Sequence, residues 1–271
     1  MKQLKICTVL AVFVAFAAII SLSPPLASAA NMAGVKQTSA IPASQIPGYI
    51  TDAINSPDRP AADKQLDQAR RPDQVMTFFG IKPGMQVADI FAAGGATSEL
   101  LARIVGPTGK VYSQNIKLPD RLKKLDDAWK ARLKEPGIAN TLVEVVKPLD
   151  SPDLLPVAPG SLDAVILNQN YHDMVWLGVN RDKLNATIFK ALKSGGVYGV
   201  VDNAAAPGSG AKDVKTLHRI DPDFEIAEIE KAGFKLVATS DVLHNPDDPH
   251  TQPAAKMNHK EDRFVLKFVN P

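Results

Sequence analysis

The stretch Val87-Ala88-Asp89-Ile90-Phe91-Ala92-Ala93-Gly94-Gly95-Ala96-Thr97 constrains the fold of this chain more than any other. Residues 87–91 are a short apolar run broken by one acid, the pattern of a parallel strand buried on both faces. Four small residues follow, Ala92 to Gly95, which let the backbone come close to a ligand. Thr97 then precedes Leu100, Leu101, Ile104 and Val105, an apolar series at helical spacing. The Thr97 hydroxyl is expected to cap that helix by accepting from a free amide of its first turn, and Gly106-Pro107 ends it. Strand, small-residue turn and helix in this order open a doubly wound sheet. Its ligand sits at the carboxyl end of the strand, against the helix N-terminus. A tight turn without a ligand is the alternative reading of the same residues.

The chain continues the alternation. Strands are expected over 109–113, 141–146, 162–167 and 197–201, with helices over 119–133, 180–192 and 222–232. Ser194-Gly195-Gly196 and Gly233 stop the last two helices. Two further strands, 235–243 and 263–269, have no helix between them and are expected to run antiparallel. The sum is an α/β chain with a mostly parallel sheet, right-handed crossovers and a final antiparallel strand. Upstream, residues 61–79 are helix-rich and interrupted at Pro72, and Val75, Met76 and Phe79 form an apolar stripe for the core.

Of the 271 residues 45% are hydrophobic, enough for one sizeable domain and a leader. Residues 1–30 read as a secretory signal peptide. Lys2 and Lys5 form the positive end, residues 6–22 are apolar and uncharged, Ser23-Pro24-Pro25 break the helix, and Ala27-Ser28-Ala29, or Ser28-Ala29-Ala30 in the alternative register, supply a cleavage site. An uncleaved anchor is the alternative. Residues 31–57 read as a polar linker with a short helix at 50–54, and residues 58–271 as the domain. The expected location is periplasmic or secreted, with no membrane association after cleavage. Cys7, the one cysteine, lies in the leader. The remaining chain therefore has no disulfide, thiolate nucleophile or thiolate metal site. Without the two leader lysines the formal charge of +2 falls to about zero, which gives no electrostatic basis for a nucleic-acid partner.

An acid at a strand end followed by alternating small residues resembles the first motif of class I S-adenosylmethionine-dependent methyltransferases. Asp89 holds the acid's place and Gly95 that of the last glycine, while Phe91 and Ala93 stand where the first two glycines would be. More narrowly, the chain resembles a group of exported proteins described as predicted methyltransferases. That likeness is carried by Asp58-Arg59-Pro60, Arg71-Pro72, Phe78-Phe79-Gly80, Tyr171-His172-Asp173, Leu217-His218-Arg219-Ile220-Asp221, Ala232-Gly233-Phe234, Asp262-Arg263-Phe264-Val265-Leu266-Lys267-Phe268 and Pro271. The resemblance implies a Rossmann-like methyltransferase fold and S-adenosylmethionine as cofactor; it supplies no substrate, and the expected acceptor is a small molecule. It implies that Asp89, Gly94 and Gly95 lie beside the methionine part of the cofactor, Asn115 at its ribose and Asp150 at its adenine amino group, with Ala93, Thr97 and Asn168 also at the cofactor. Asp150 reads equally well as a turn or cap.

Strand-end residues of such a sheet share one rim. His172 can act there as a proton acceptor, with Asp173 orienting it and Tyr171 walling the pocket. Alternatively Tyr171 packs and His172 caps the following helix. His172, His218, His244, His250 and His259, with Asp247 and Asp248, are all expected on this rim. None has the His-x-x-x-His spacing of a helical metal site, so no metal ligand is assigned. Two other functions fit the same residues. One is a ligand-binding pseudo-enzyme, favoured by Phe91 and Asn115. The other is a metal-dependent protein using the histidine-rich rim.

Overall fold

The computed structural model describes residues 34–117 and 119–271. The leader, and with it the signal-peptide reading of residues 1–30, lies outside them. Among the described residues no helix is long and apolar enough to cross a membrane.

Eight strands form one sheet: β1 (Lys36–Thr38), β2 (Gln86–Ile90), β3 (Lys110–Asn115), β4 (Leu142–Val146), β5 (Leu162–Asn168), β6 (Leu192–Asn203), β7 (Lys235–Ser240) and β8 (Arg263–Val269). Their spatial order is β4-β3-β2-β5-β6-β8-β7-β1. All neighbouring pairs are parallel except those made by β8, which runs antiparallel to both β6 and β7. The helices are α1 (Gly48–Asn55), α2 (Ala61–Lys64), α3 (Asp67–Arg70), α4 (Pro72–Phe79), α5 (Ala96–Val105), α6 (Lys123–Arg132), α7 (Tyr171–Trp176), α8 (Arg181–Ala191) and α9 (Pro222–Lys231).

Helices cover both faces, which is why β2 and β5 are apolar throughout instead of alternating. On one face Val87, Ala164 and Ile166 pack with Ile50, Phe79, Leu101 and Trp129; on the other Ala88, Ile90, Val165 and Leu167 pack with Tyr171, Leu184, Ile188 and Ile229. Burying one such large apolar side chain stabilises by roughly 1.5–3 kcal/mol. Gly199 of β6 is part of this fit. A Cβ there would lie 2.8 Å from the Phe79 ring, so the ring lies against bare backbone.

The expected elements are present, with four differences. Residues 36–38 were expected in the linker, yet β1 pairs with Ala238–Ser240 of β7. Behind it the Gln74 amide bonds both N–H and C=O of Ile41 (2.6 and 2.9 Å), so this segment belongs to the domain. Thr97 does not cap α5. Gly95 is the cap residue, at φ 79°, and the Thr97 hydroxyl instead accepts from Asn168 Nδ2 at 3.1 Å. Strand β6 starts directly after α8 and takes in Ser194-Gly195-Gly196 as an irregularity opposite Leu162 and Ala164. Strand β7 ends at Ser240, short of the expected 243.

Candidate active site

The turn after β2 holds three alternate residues in the left-handed backbone region: Phe91 (φ 55°), Ala93 (φ 51°) and Gly95 (φ 79°). Two of the three carry a side chain that disfavours this conformation, at a cost of order 1–3 kcal/mol each. Hydrogen bonds from β3 hold them there. The Phe91 N–H donates to Gln114 Oε1 (3.0 Å) and the Ala92 N–H to the Gln114 carbonyl (2.9 Å). Asn115 grips Ala93 at both ends, accepting from its N–H at 2.8 Å and donating to its C=O at 3.2 Å. Asn170 Nδ2 donates to the Phe91 carbonyl at 3.1 Å, and Arg132 Nε to that of Gly94 at 2.7 Å.

A cleft of about 370 Å³ opens over this turn. Asp89, Phe91, Ala93, Gly94 and Thr97 form its floor, Asn168, Gln169 and Asn170 one wall, and Leu125, Ala128 and Arg132 of α6 another. Asp63, Leu66 and Arg70 reach over from the N-terminal helices. Arg132 ties these parts together through ion pairs to Glu99 of α5 and to Asp63 (2.7 Å). Burial pushes the Asp89 carboxyl up to about 7, against the opposing hydrogen bond from the Ser98 hydroxyl (2.5 Å).

Five of the expected cofactor residues, Asp89, Ala93, Gly94, Thr97 and Asn168, therefore share one cleft. Three do not. Gly95 turns its α-carbon toward Trp129, whose ring would lie 2.5 Å from a Cβ; its smallness serves the packing of α6 on the turn. Asn115 is 4% exposed, does not line the cleft, and spends one bond at each end of its amide on Ala93. Asp150 lies away from the cleft and receives a long contact from the Asn180 N–H (3.4 Å), the turn reading of that residue.

The expected catalytic trio also separates. Tyr171 is fully buried; its hydroxyl donates to Glu228 (3.1 Å) and accepts from Asn185 (3.0 Å), so it packs under α8 and α9 and does not line this cleft. His172 is 3% exposed and does not line this cleft. Its orienting carboxylate is Asp202 at the end of β6, 2.6 Å from Nδ1, while the other Asp202 oxygen accepts the His172 N–H at 2.8 Å. Asp173 instead faces Nε2, with Oδ1 3.5 Å from it and 3.5 Å from Nδ1 of His218. Burial lowers the His172 pKa, but the Asp202 and Asp173 carboxylates outweigh it and hold the imidazole above its ordinary value. Burial likewise holds Asp173 above the usual carboxylate range, against the two histidines.

The histidine rim divides in two. His244 and His250 flank Asp262, at 2.8 and 2.9 Å. Asp248 is buried against Arg219 at 2.8 Å, while Asp247 and His259 are exposed. His172 and His218 flank Asp173. Sequence reasoning missed Gln114, Arg132 and the covering helices. Asp202 was visible as an acid closing a strand, a signal that went unused.

No protein-family model matches the chain. Among solved structures it is similar to a S-adenosylmethionine-dependent methyltransferase from Aquifex aeolicus, at 17% identity and a TM-score of 0.55, over 79% of this chain and 99% of that one. The cyclase SpnF is similar at 17% identity and a TM-score of 0.57, over 88% and 99%. Geranyl diphosphate C-methyltransferase from Streptomyces coelicolor, solved with Mg²⁺, geranyl diphosphate and S-adenosylhomocysteine, is similar at 14% identity and a TM-score of 0.54, over 81% and 89%. A cyclase among them illustrates that one fold hosts several reactions. The architecture of this chain is the class I S-adenosylmethionine-dependent methyltransferase fold.

Proposed function

We propose that the protein binds S-adenosylmethionine in the cleft above Phe91–Gly95 and transfers its methyl group to a small-molecule acceptor. The observation that carries this reading is the backbone of the turn. Phe91 and Ala93 keep the left-handed conformation that glycine would adopt without strain, and side chains of β3 hold them in it. Strain of this kind is kept where a ligand needs the shape. The amino end of α5 opens on the same cleft through Ala96 and Thr97, a place suited to the methionine carboxylate. The methyl-bearing sulfur would then face Asn168–Asn170, with the acceptor arriving from that side. Alignment of donor and acceptor is the chain's main contribution, an effect that can supply up to ~7–11 kcal/mol.

Calorimetric titration with S-adenosylhomocysteine and S-adenosylmethionine tests this. One site per chain is expected; no heat at millimolar ligand would overturn it.

Export is part of the proposal and rests on the leader's charge, apolar run and Ala-Ser-Ala site. Protein recovered after export should begin at Ala30 or Asn31; protein extracted from a membrane with Met1 intact would refute it.

A further inference from the structure

We propose that His172, Asp173 and His218 form a binding site for one first-row divalent metal ion, Zn²⁺ or Fe²⁺, ligated through Nε2, Oδ1 and Nδ1. This goes beyond methyl transfer and does not depend on it. The ligand atoms of the three residues lie within 4.8 Å of one another. Asp173 Oδ1 is 3.5 Å from each imidazole nitrogen. That is long for a hydrogen bond. It matches the edge of a tetrahedron, ~3.4 Å, for ligands about 2.1 Å from an ion.

The two histidines are held in place, and the carboxylate oxygen between them is unengaged. Asp173 Oδ1 is buried with no hydrogen-bond partner. The His172 side chain is 4% exposed, and its Nδ1 is taken by Asp202 at 2.6 Å. With the proton on Nδ1, the lone pair of Nε2 is free for a ligand, and Nε2 lies 3.5 Å from Asp173 Oδ1. A carboxylate behind the imidazole is the arrangement that fixes the tautomer of metal-bound histidines and raises their basicity. His218 sits at φ 51°, and its carbonyl is bonded by Asn203 Nδ2 at 3.1 Å. Its ring stands edge-on to those of His172 and Trp176, at 5.5 and 5.4 Å. The His218 side chain is 39% exposed, so the remaining coordination positions open to solvent. Two imidazoles and one carboxylate with open positions suit Zn²⁺ or Fe²⁺ and give no preference for Mg²⁺ or Ca²⁺.

The test uses the purified protein, stripped with a chelator and dialysed against Zn²⁺ or, as a spectroscopic substitute, Co²⁺, with no other ligand present. Wild type should retain one ion per chain, melt at a higher temperature with Zn²⁺, and show visible ligand-field bands with Co²⁺. His218→Ala and Asp173→Asn should each weaken binding at least roughly tenfold while leaving the metal-free melting temperature near that of wild type. His259→Ala, on the exposed loop elsewhere, should bind as wild type does. The site is refuted if stripped wild type takes up no Zn²⁺ at micromolar free metal. It is equally refuted if both ligand variants bind as well as wild type, or if His259→Ala loses as much as they do.

Discussion

Asp173 and Asp262 have the same immediate company, two histidines each, and opposite surroundings. Asp262 is saturated. Its Oδ1 accepts from His244 and from the Asn245 N–H, both at 2.8 Å, and its Oδ2 from His250 at 2.9 Å. Its own N–H donates to Asp248 at 2.6 Å, and Asp248 is paired with the fully buried Arg219. The loop between β7 and β8 is built on these contacts. Asp173 has no such donors, and its buried Oδ1 only looks across 3.5 Å at two ring nitrogens. Counting histidines does not separate the two clusters. Counting engaged atoms does: a saturated carboxylate holds structure together, and an unsaturated one is available to a ligand.

A third carboxylate sharpens the contrast and should give the largest effect. Asp89 is 1% exposed and draws its hydrogen bonds from Ser98, and burial raises it to about 7 from its ordinary 3.8. Because the folded pKa is the higher one, the folded state binds the proton more tightly. The resulting stabilisation is complete below about pH 4 and is lost as pH rises through 7. At 1.36 kcal/mol per unit the swing is about 4 kcal/mol. Asp89→Asn, which cannot ionise, should therefore gain on wild type by that order between pH 4 and pH 8 in urea denaturation. A difference that stays constant over this range would mean that Asp89 titrates as an ordinary exposed acid.

The next effect breaks the two histidine clusters in turn. Asp262→Ala should cost about 1–3 kcal/mol, because it removes the buried acceptor shared by the partly buried His250, the exposed His244 and the Asn245 N–H. Asp173→Asn should be neutral, or stabilising by up to ~1 kcal/mol, since it removes a largely buried charge whose Oδ1 no donor reaches and adds an amide that can donate. Equal losses in chemical denaturation would show that both carboxylates are structural.

The order of elements was legible because its signals are local. Apolar runs mark β2 and β5, and Gly106, Gly233 and Pro72 punctuate the helices. Strand β1 was not, because Lys36–Thr38 is polar and is placed by its pairing with β7, with Gln74 of α4 fixing Ile41 behind it. At the site, the strand-end rule placed Asp89, Ala93, Thr97 and Asn168 on one cleft. It could not say where side chains of neighbouring strands point. Gln114 and Asn115 turn to the backbone of the β2 turn, and Tyr171 turns inward to Glu228 and Asn185. His172 and His218 meet only because β5 and β6 are neighbours in the sheet, a tertiary fact that no spacing along the chain encodes.

The smallest effect concerns the turn itself, whose backbone is as fully engaged as Asp262. Phe91 stands where the resemblance has glycine, and its ring is half-buried, resting against the core around Ile90 while bordering the cleft. Phe91→Gly removes part of that packing. A fully buried ring is worth about 3–5 kcal/mol on truncation, so a half-buried one is worth roughly half of that. The same change relieves the φ of 55°, a gain of order 1 kcal/mol. The net expectation is a loss of about 1 kcal/mol. Ala93→Gly supplies the control. It relieves a φ of 51° and removes only a methyl group, so it should stabilise slightly, by less than ~1 kcal/mol. The difference between the two variants in one set of thermal melts isolates the ring from the strain. If Phe91→Gly loses 3 kcal/mol or more while Ala93→Gly gains nothing, the ring is core and the left-handed backbone carries little strain. The argument for a ligand above the turn would then lose its main support.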